Sequence, residues 1–410
     1  MPDTVASQTR FLPFRARTSF RFETPNASQH ARQAGKAGTV YLTNIGQFTR
    51  QALVGSKHFE LAQSAITLPC LPVEQWAAAD FRDKTLLVLL PTQALGDCTQ
   101  ALMALHALHE ARRPKSITVA CAGAAYDIFA TNPFLTVRPL WFAKAEADRA
   151  DYVLDLGQML AGHDIDLWPV DFEGAMLEAF AVPPSSTYDA QGRPLPTGRP
   201  LEIGLFPLAS SPLRTLPVAV VRHLAEVLTG RGNLTVSLNI WQEQGKLMQQ
   251  QLQALGRGIR ILESHPSIGD IVQSIARLDY AVFADSGPAH MAKLSATPGV
   301  AVYTSAPSHV LQGRFRNLAA YDVEYSGAYC SAPCGLAKVR QARSGDIGCM
   351  GSLELPLEDL PETPQARSDA AVRQLIADPV PCVKALAEQR ERLGAFIAND
   401  IESRPRSPAC

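Results

Sequence analysis

Between Tyr280 and Tyr303 the chain reads YAVFADSGPAHMAKLSATPGVAVY, and the turn at its centre, Asp285-Ser286-Gly287-Pro288, is made of residue types that can hold an anion. An apolar run at 280–284 meets this polar turn, a helical segment follows through His290 and Lys293, and a second apolar run at 300–303 closes it. The order is strand, tight turn, short helix, strand. Where a strand's carboxyl end delivers the chain to a helix, the first N–H groups lack partners and the helix dipole favours negative charge. Gly287 lets a ligand approach the backbone, and Pro288 suits a first helical turn. The same residues also fit an ordinary strand-to-helix turn capped by Asp285 or Ser286.

A carboxylate stands in a comparable place earlier in the chain. In Thr92 to Thr99, TQALGDCT, Gly96 allows a tight turn after a buried strand and puts Asp97 at or near the start of the next helix. There it is either a helix-capping carboxylate or a general base that takes a proton from an acceptor hydroxyl. A third group is the cysteine set. Cys330, Cys334, Cys349 and Cys382 fall in a Gly- and Pro-rich region after the anion-binding turn, and four thiolates could close a tetrahedral zinc or iron site of structural kind. Reduced thiols or a disulfide are the other readings.

The elements that must position these residues follow from the hydrophobic pattern. The chain has 410 residues, 46% hydrophobic and 19% charged, which is enough for two domains that each bury a core. A net charge of -1 gives no electrostatic footprint for nucleic acid. No segment has the apolar length of a membrane span or the apolar core of a signal peptide, so the expected location is the cytoplasm, with peripheral association at the inner face of the membrane as an extension.

Residues 1–80 read as an N-terminal extension packed on the first domain, with a strand at 40–42 and a helical stretch at 44–63. From Lys84 an α/β rhythm starts. TLLVLLP at 85–91 is a continuous apolar run, as in a strand buried on both faces of a parallel sheet. Helices are expected at 98–112 and 124–130, and strands at 116–120, 137–141 and 152–155. A proline-rich linker at 183–200 follows. The rhythm then restarts with strands at 201–206, 234–238 and 259–262 and helices at 218–231, 243–255 and 268–277. The expectation is two Rossmann-like domains, 81–190 and 200–378, facing a cleft, and a terminal segment, 379–410, whose helix at 382–399 carries an apolar stripe of Val383, Leu386, Leu393 and Phe396.

Jointly, Gly96-Asp97, the loop SSPLRTLP at 210–217 and DSGPAHMAKLSATPGVAVY resemble the bacterial heptosyltransferase-like glycosyltransferases of family 9, over Thr85 to Ser305. That resemblance implies a GT-B fold and inverting transfer of a sugar, heptose among the candidates, from a nucleoside-diphosphate donor such as ADP-heptose to a hydroxyl on a surface glycan or glycoprotein. Asp97 matches the family's base. Asp285, Ser286 and Gly287 match its pyrophosphate-facing turn, which Pro288 follows. Ser210 and Ser211 match small hydroxyl residues on the same phosphates, and His290 matches a following histidine that either touches the ligand or sits in the core. Arg214 stands where the family has Lys, and Leu216 where it has Trp, which keeps the charge and alters the geometry. Asp270 falls near the expected nucleotide ribose, and Lys293 faces either the cleft or solvent. No Asp-x-Asp metal motif is present, so no catalytic cofactor is expected. A catalytically silent GT-B protein that binds a nucleotide sugar, or serves as a scaffold, is the alternative. A dehydrogenase is disfavoured because no G-x-G-x-x-G follows a strand.

Overall fold

A computed structural model describes residues 10–22, 33–44, 59–61, 65–92, 94–121, 125–130, 132–139, 141–161, 171–240, 242–253, 259–327, 331–334, 373 and 376–407. The chain divides into two compact units. One comprises 1–163, 172–187 and 266–270; the other comprises 164–171, 188–265 and 271–410.

In the first unit, β1 (Arg10–Ala16), β2 (Val40–Asn44), β3 (Phe59–Leu61) and β4 (Ile66–Thr67) precede β5 (Thr85–Leu90), α1 (Leu95–Arg112), β6 (Ser116–Cys121), α2 (Tyr126–Ala130), β7 (Leu135–Pro139), β8 (Trp141–Ala143) and β9 (Tyr152–Asp155). A parallel sheet runs β9-β5-β6-β7, and an antiparallel sheet runs β8-β2-β1-β3 with β4 also on β1. Five of the six residues of β5 are buried, as its unbroken apolar run requires. Phe11, Leu42 and Phe142 of the antiparallel sheet share one core with Leu87, Leu89, Ala120 and Val153 of the parallel one. The apolar stretch expected as one strand at 137–141 is divided. Residues up to Pro139 pair with β6, while Trp141–Ala143 pairs with β2 in the other sheet. The helix expected at 44–63 ends instead in a strand, because Phe59–Leu61 pairs with β1 and Phe59 stacks edge-on against Phe14; residues 45–58 and 62–64 lie outside the described residues.

The second unit holds β10 (Leu201–Phe206), α3 (Val218–Thr229), β11 (Gly232–Ser237), α4 (Glu243–Gln253), β12 (Ile259–Leu262), α5 (Ile268–Arg277, shared with the first unit), β13 (Tyr280–Ala284), α6 (Gly287–Met291), β14 (Gly299–Tyr303), α7 (Ser308–Gln312), β15 (Leu318–Asp322), α8 (Pro381–Glu388) and α9 (Arg390–Ser403). All six strands are parallel, in the order β12-β11-β10-β13-β14-β15. In order of appearance this is 3-2-1-4-5-6, the order of doubly wound nucleotide-binding folds. The order reverses between β10 and β13, and ligands of such sheets bind outside the carboxyl ends of the strands at that point.

One core joins β10, β11, β13 and β14 to Val220, Val221, Leu224 and Leu228 of α3 and to Leu386, Leu393, Ile397 and Ile401 of the terminal helices. Each such aliphatic side chain contributes about 1.5–3 kcal/mol on full burial. The terminal stripe is as expected, but its single helix is two, joined at Gln389, whose amide side chain donates to the Glu324 carbonyl at 2.9 Å. The proline-rich linker is also stapled: Leu195–Pro196 pairs with Arg406–Ser407, and Arg193 N–H donates to Ala296 O at 2.9 Å.

Candidate functional site

The buried strand β13 has small and apolar residues on both faces and ends at Ala284, so the next residue emerges at the carboxyl end of the sheet. That residue, Asp285, is 1% exposed, and its N–H donates to Val302 O of β14 at 3.1 Å. Ser286 and His290 are buried as well. Neither Asp285 nor Ser286 caps α6. Ser286 occupies the N-cap position with no side-chain bond, and its hydroxyl turns back to Ala284 O at 3.1 Å. The ordinary-cap reading of this turn is thereby corrected, while Pro288 lies in the first turn of α6 as its fixed φ favours.

Facing this turn is the loop after β10. Arg214 Nη1 lies 3.4 Å from Asp285 Oδ1, and Arg214 Nη2 donates to Ser210 Oγ at 2.9 Å. Ser210 is exposed and Ser211 buried; Ser211 Oγ accepts from Leu213 N–H at 3.3 Å, and its carbonyl accepts from Arg214 N–H at 3.1 Å. Leu216 is fully buried in the core of the unit. Residues that the sequence did not single out hold this loop. Thr215 accepts from Ala209 N–H at 3.1 Å, Gln244 donates to Ala209 O, and the Thr304 hydroxyl donates to Leu213 O. A hydroxyl at 215 and an amide at 244 carry no signal in one sequence, because only the fold brings them together.

The polar groups at this point are not all satisfied. Arg214 Nε, Asp285 Oδ2, His290 Nδ1 and Ser305 Oγ are buried and find no hydrogen-bond partner. Buried polar groups are almost always paired in folded proteins, so a donor and acceptors left open together at a topological switch point mark a place for a polar ligand. Burial raises the Asp285 carboxyl above its ordinary range, against the pull of Arg214 and then Lys293. Burial also drives the His290 imidazole well below its ordinary value, helped by Lys293 and Arg214, so His290 is neutral. Lys293 does not face solvent; it is 1% exposed, with Nζ donating to Leu311 O at 2.8 Å.

Asp97 belongs to the first unit. It lies in the first turn of α1 but not at the N-cap, which is Ala94. Thr92 Oγ1 donates to Asp97 Oδ2 at 3.1 Å and accepts from Ala94 N–H at 3.1 Å, so one hydroxyl ties the carboxylate to the start of the helix. Asp270, also grouped with the first unit, accepts from the Ser267 hydroxyl at 2.7 Å at the start of α5. Of the cysteines, Cys330 and Cys349 lie outside the described residues. Cys382 is buried in a cluster with Leu213, Val380 and Val383, against which Ala332 packs. Cys334 N–H donates to Ser305 O at 2.8 Å. Cys382 and Cys334 therefore sit beside the segments that carry Arg214 and Ser305. Among the described residues no three His, Cys, Asp or Glu side chains gather as a metal site, and no helix is long and apolar enough to cross a membrane.

No family model matches the chain, and no curated protein does. Among solved structures it is similar to a family 9 glycosyl transferase from Veillonella parvula, at 14% identity and a TM-score of 0.47 over 59% of this chain and 87% of that one. It is similar to the ADP-heptose lps heptosyltransferase II of E. coli, at 16% identity and a TM-score of 0.46 over 58% of this chain and 90% of that one. It is similar over 96% of its length, and 98% of the other's, to the iron-containing dodecameric glycosyltransferase TibC of enterotoxigenic E. coli, at 11% identity and a TM-score of 0.42. Likenesses at these values assign no residue its role, and the roles rest on this chain's own geometry.

Proposed function

We propose that this chain is an inverting glycosyltransferase of GT-B type that moves a sugar from a nucleoside-diphosphate donor to an acceptor hydroxyl. The observation that carries the reading is the set of unpartnered buried polar atoms of Arg214, Asp285 and His290 at the switch point of a 3-2-1-4-5-6 sheet. Arg214 offers an N–H donor for a phosphate oxygen, and guanidinium binds phosphate in a planar, directional way. Asp285 and the neutral His290 offer acceptors for sugar hydroxyls. The turn at Ser286 and Gly287 presents backbone N–H groups to the same ligand. As the sugar–phosphate bond breaks, negative charge collects on the leaving diphosphate, and a fixed Arg214 stabilises it without reorganising. Asp97, oriented by Thr92, takes the proton of the attacking hydroxyl, which reaches the anomeric carbon from the face opposite the leaving group.

ADP-heptose or another nucleoside-diphosphate sugar is the donor in this reading, and a glycan or protein the acceptor, met in the cytoplasm at the inner face of a membrane. A structural zinc or iron ion held by Cys330, Cys334, Cys349 and Cys382 belongs to the same proposal. It is supported by the two described cysteines lying at segments that pack on the Arg214 loop and on Ser305. Such an ion would brace the loop and take no part in the transfer.

The test is Asp97→Asn. Transfer should fall by about 10²–10⁴ while nucleotide binding persists, and an unchanged rate sinks the general-base role. A thermal-shift series over nucleoside diphosphates checks the donor site, since a ligand of the folded state raises the melting temperature. One diphosphate should stabilise more than the rest.

A further inference from the structure

The end of the proline-rich linker, the turn after α3 and the segment that leaves α9 meet around an open cavity of about 600 Å³. Leu201, the first residue of β10, and Ile401 of α9 give it an apolar part, and Arg199, Arg231 and Arg406 bring three guanidiniums to its lining. The cavity lies at the amino end of β10, whereas the loop that carries Arg214 leaves the carboxyl end of the same strand. At about 3.3 Å of rise per residue the two ends stand about 17 Å apart, so this is a different place from the site described above.

Each arginine is held. Arg199 makes a two-point pair with Asp279 at 2.6 and 2.8 Å, Arg231 Nη1 donates to Val227 O at 3.0 Å, and Arg406 Nη2 donates to Ile401 O at 3.0 Å. The pairing of Leu195–Pro196 with Arg406–Ser407 fixes the wall, and Thr197 Oγ1 adds a bond to Ser407 O at 3.1 Å. Side chains anchored in this way lose little freedom when a ligand arrives. Their charge is not balanced. Asp279 answers Arg199, and Glu402, its side chain 67% exposed, lies 3.4 Å from Arg231. Among the described residues Arg406 has no carboxylate partner.

We propose that this cavity binds a phosphate-bearing ligand, with Arg406 and Arg231 as its principal donors. A planar carboxylate fills one guanidinium fork, whereas a phosphoryl group offers three oxygens to donors brought from different segments. Leu201 and Ile401 suit an organic body attached to the phosphate, which a volume of this size admits. A soluble phosphorylated molecule and the headgroup of an anionic lipid share this chemistry. The inference does not rest on the donor-site reading.

The experiment has two arms, both on the full chain. In the first, pyrophosphate is titrated while the Arg406 Nε–H signal, identified by its loss in Arg406→Gln, is followed by NMR, which reports this cavity apart from the turn at Asp285. That signal should shift and saturate. By calorimetry Arg406→Gln and Arg231→Gln should each weaken binding at the cavity about tenfold. Arg392→Gln, which removes an equal charge from the pair with Glu324, should not. In the second arm, vesicles of phosphatidylglycerol should retain the native chain and Arg392→Gln, and release Arg406→Gln, if the source is a lipid; vesicles of phosphatidylcholine should retain none. A response to pyrophosphate alone identifies a soluble ligand. Silence of Arg406 in the first arm together with unaltered vesicle behaviour of Arg406→Gln overturns the proposal, as does an equal loss in Arg392→Gln. Citrate bound at Arg406 as tightly as pyrophosphate overturns the choice of phosphate.

Discussion

Arg214 and Asp285 form an ion pair at 3.4 Å across the two strand ends between which the second sheet reverses its order. Arg214 is 15% exposed and Asp285 1%, so the pair is shielded from water. Arg214→Ala leaves a buried carboxylate without its partner, and the expected loss of stability is about 3 kcal/mol in chemical denaturation. The deficit should grow as pH rises, because Asp285 can then no longer stay protonated cheaply. Arg214→Lys should keep much of the stability and lose nucleotide affinity, since it gives up the fork that also reaches Ser210.

The pH dependence of stability has opposing limbs at this site. His290 has its native value held well below 6.5, chiefly by burial. The unfolded chain takes up a proton as pH falls through that value and the native state refuses it, so this contribution is complete above 6.5 and is lost below, by up to about 1.4 kcal/mol per pH unit. Asp285, raised above 3.8, runs the other way: its contribution is complete at low pH and is lost as pH climbs. In urea titrations from about pH 5 to about pH 8, His290→Gln should flatten the acid limb. An unaltered slope would mean that the native imidazole takes up its proton as readily as the unfolded one.

Gly299 opens β14 beside Ala281 of β13, and a Cβ there would stand 1.9 Å from the Ala281 carbonyl oxygen. The obstacle is backbone, which cannot swing aside. Gly299→Ala should cost about 2–3 kcal/mol, read as a lower melting temperature, and should weaken diphosphate binding because Asp285 hangs from the same ladder.

Thr92→Val tests the support of Asp97. It removes the hydroxyl that donates to the carboxylate and accepts from Ala94 N–H, at about 1 kcal/mol of stability. The transfer rate should fall by less than in Asp97→Asn, with nucleotide affinity unchanged. Equal losses in the two variants would make Thr92 itself a participant.

Nine of the ten strands of the two parallel sheets were legible, most clearly where burial on both faces writes an unbroken apolar run, as in TLLVLL and YAVFA; the edge strand Leu318–Asp322, partly exposed and ending in a charge, was not read. The antiparallel sheet was not. Its strands are short, mixed in composition, and paired over long sequence separations, so that Trp141–Ala143 leaves one sheet to complete another that begins near Arg10. In the site, Asp285, Ser286 and Gly287 announced themselves by turn chemistry and Arg214 by its loop. The contact between Arg214 and Asp285, and the roles of Thr215, Gln244 and Thr304, needed the fold. Lys293 shows the limit plainly: a lysine in a helix reads as solvated, and only packing of α7 against it shows it buried.

The terminal helices tie the turn at Asp285 to the order of synthesis. Leu386, Leu393, Ile397 and Ile401 complete the core that contains Val282 and Val300, the Tyr280 hydroxyl donates to Asp400 at 2.8 Å, and Arg404 donates to Gly299 O at 3.0 Å. The turn at Asp285 leaves the ribosome well before those helices do. Until they arrive, β13 and β14 lack one of their walls, so a nascent chain carries the residues of the turn without the packing that holds them. A stop codon ahead of Pro381 should therefore yield a protein that keeps every residue of the turn and holds no nucleotide.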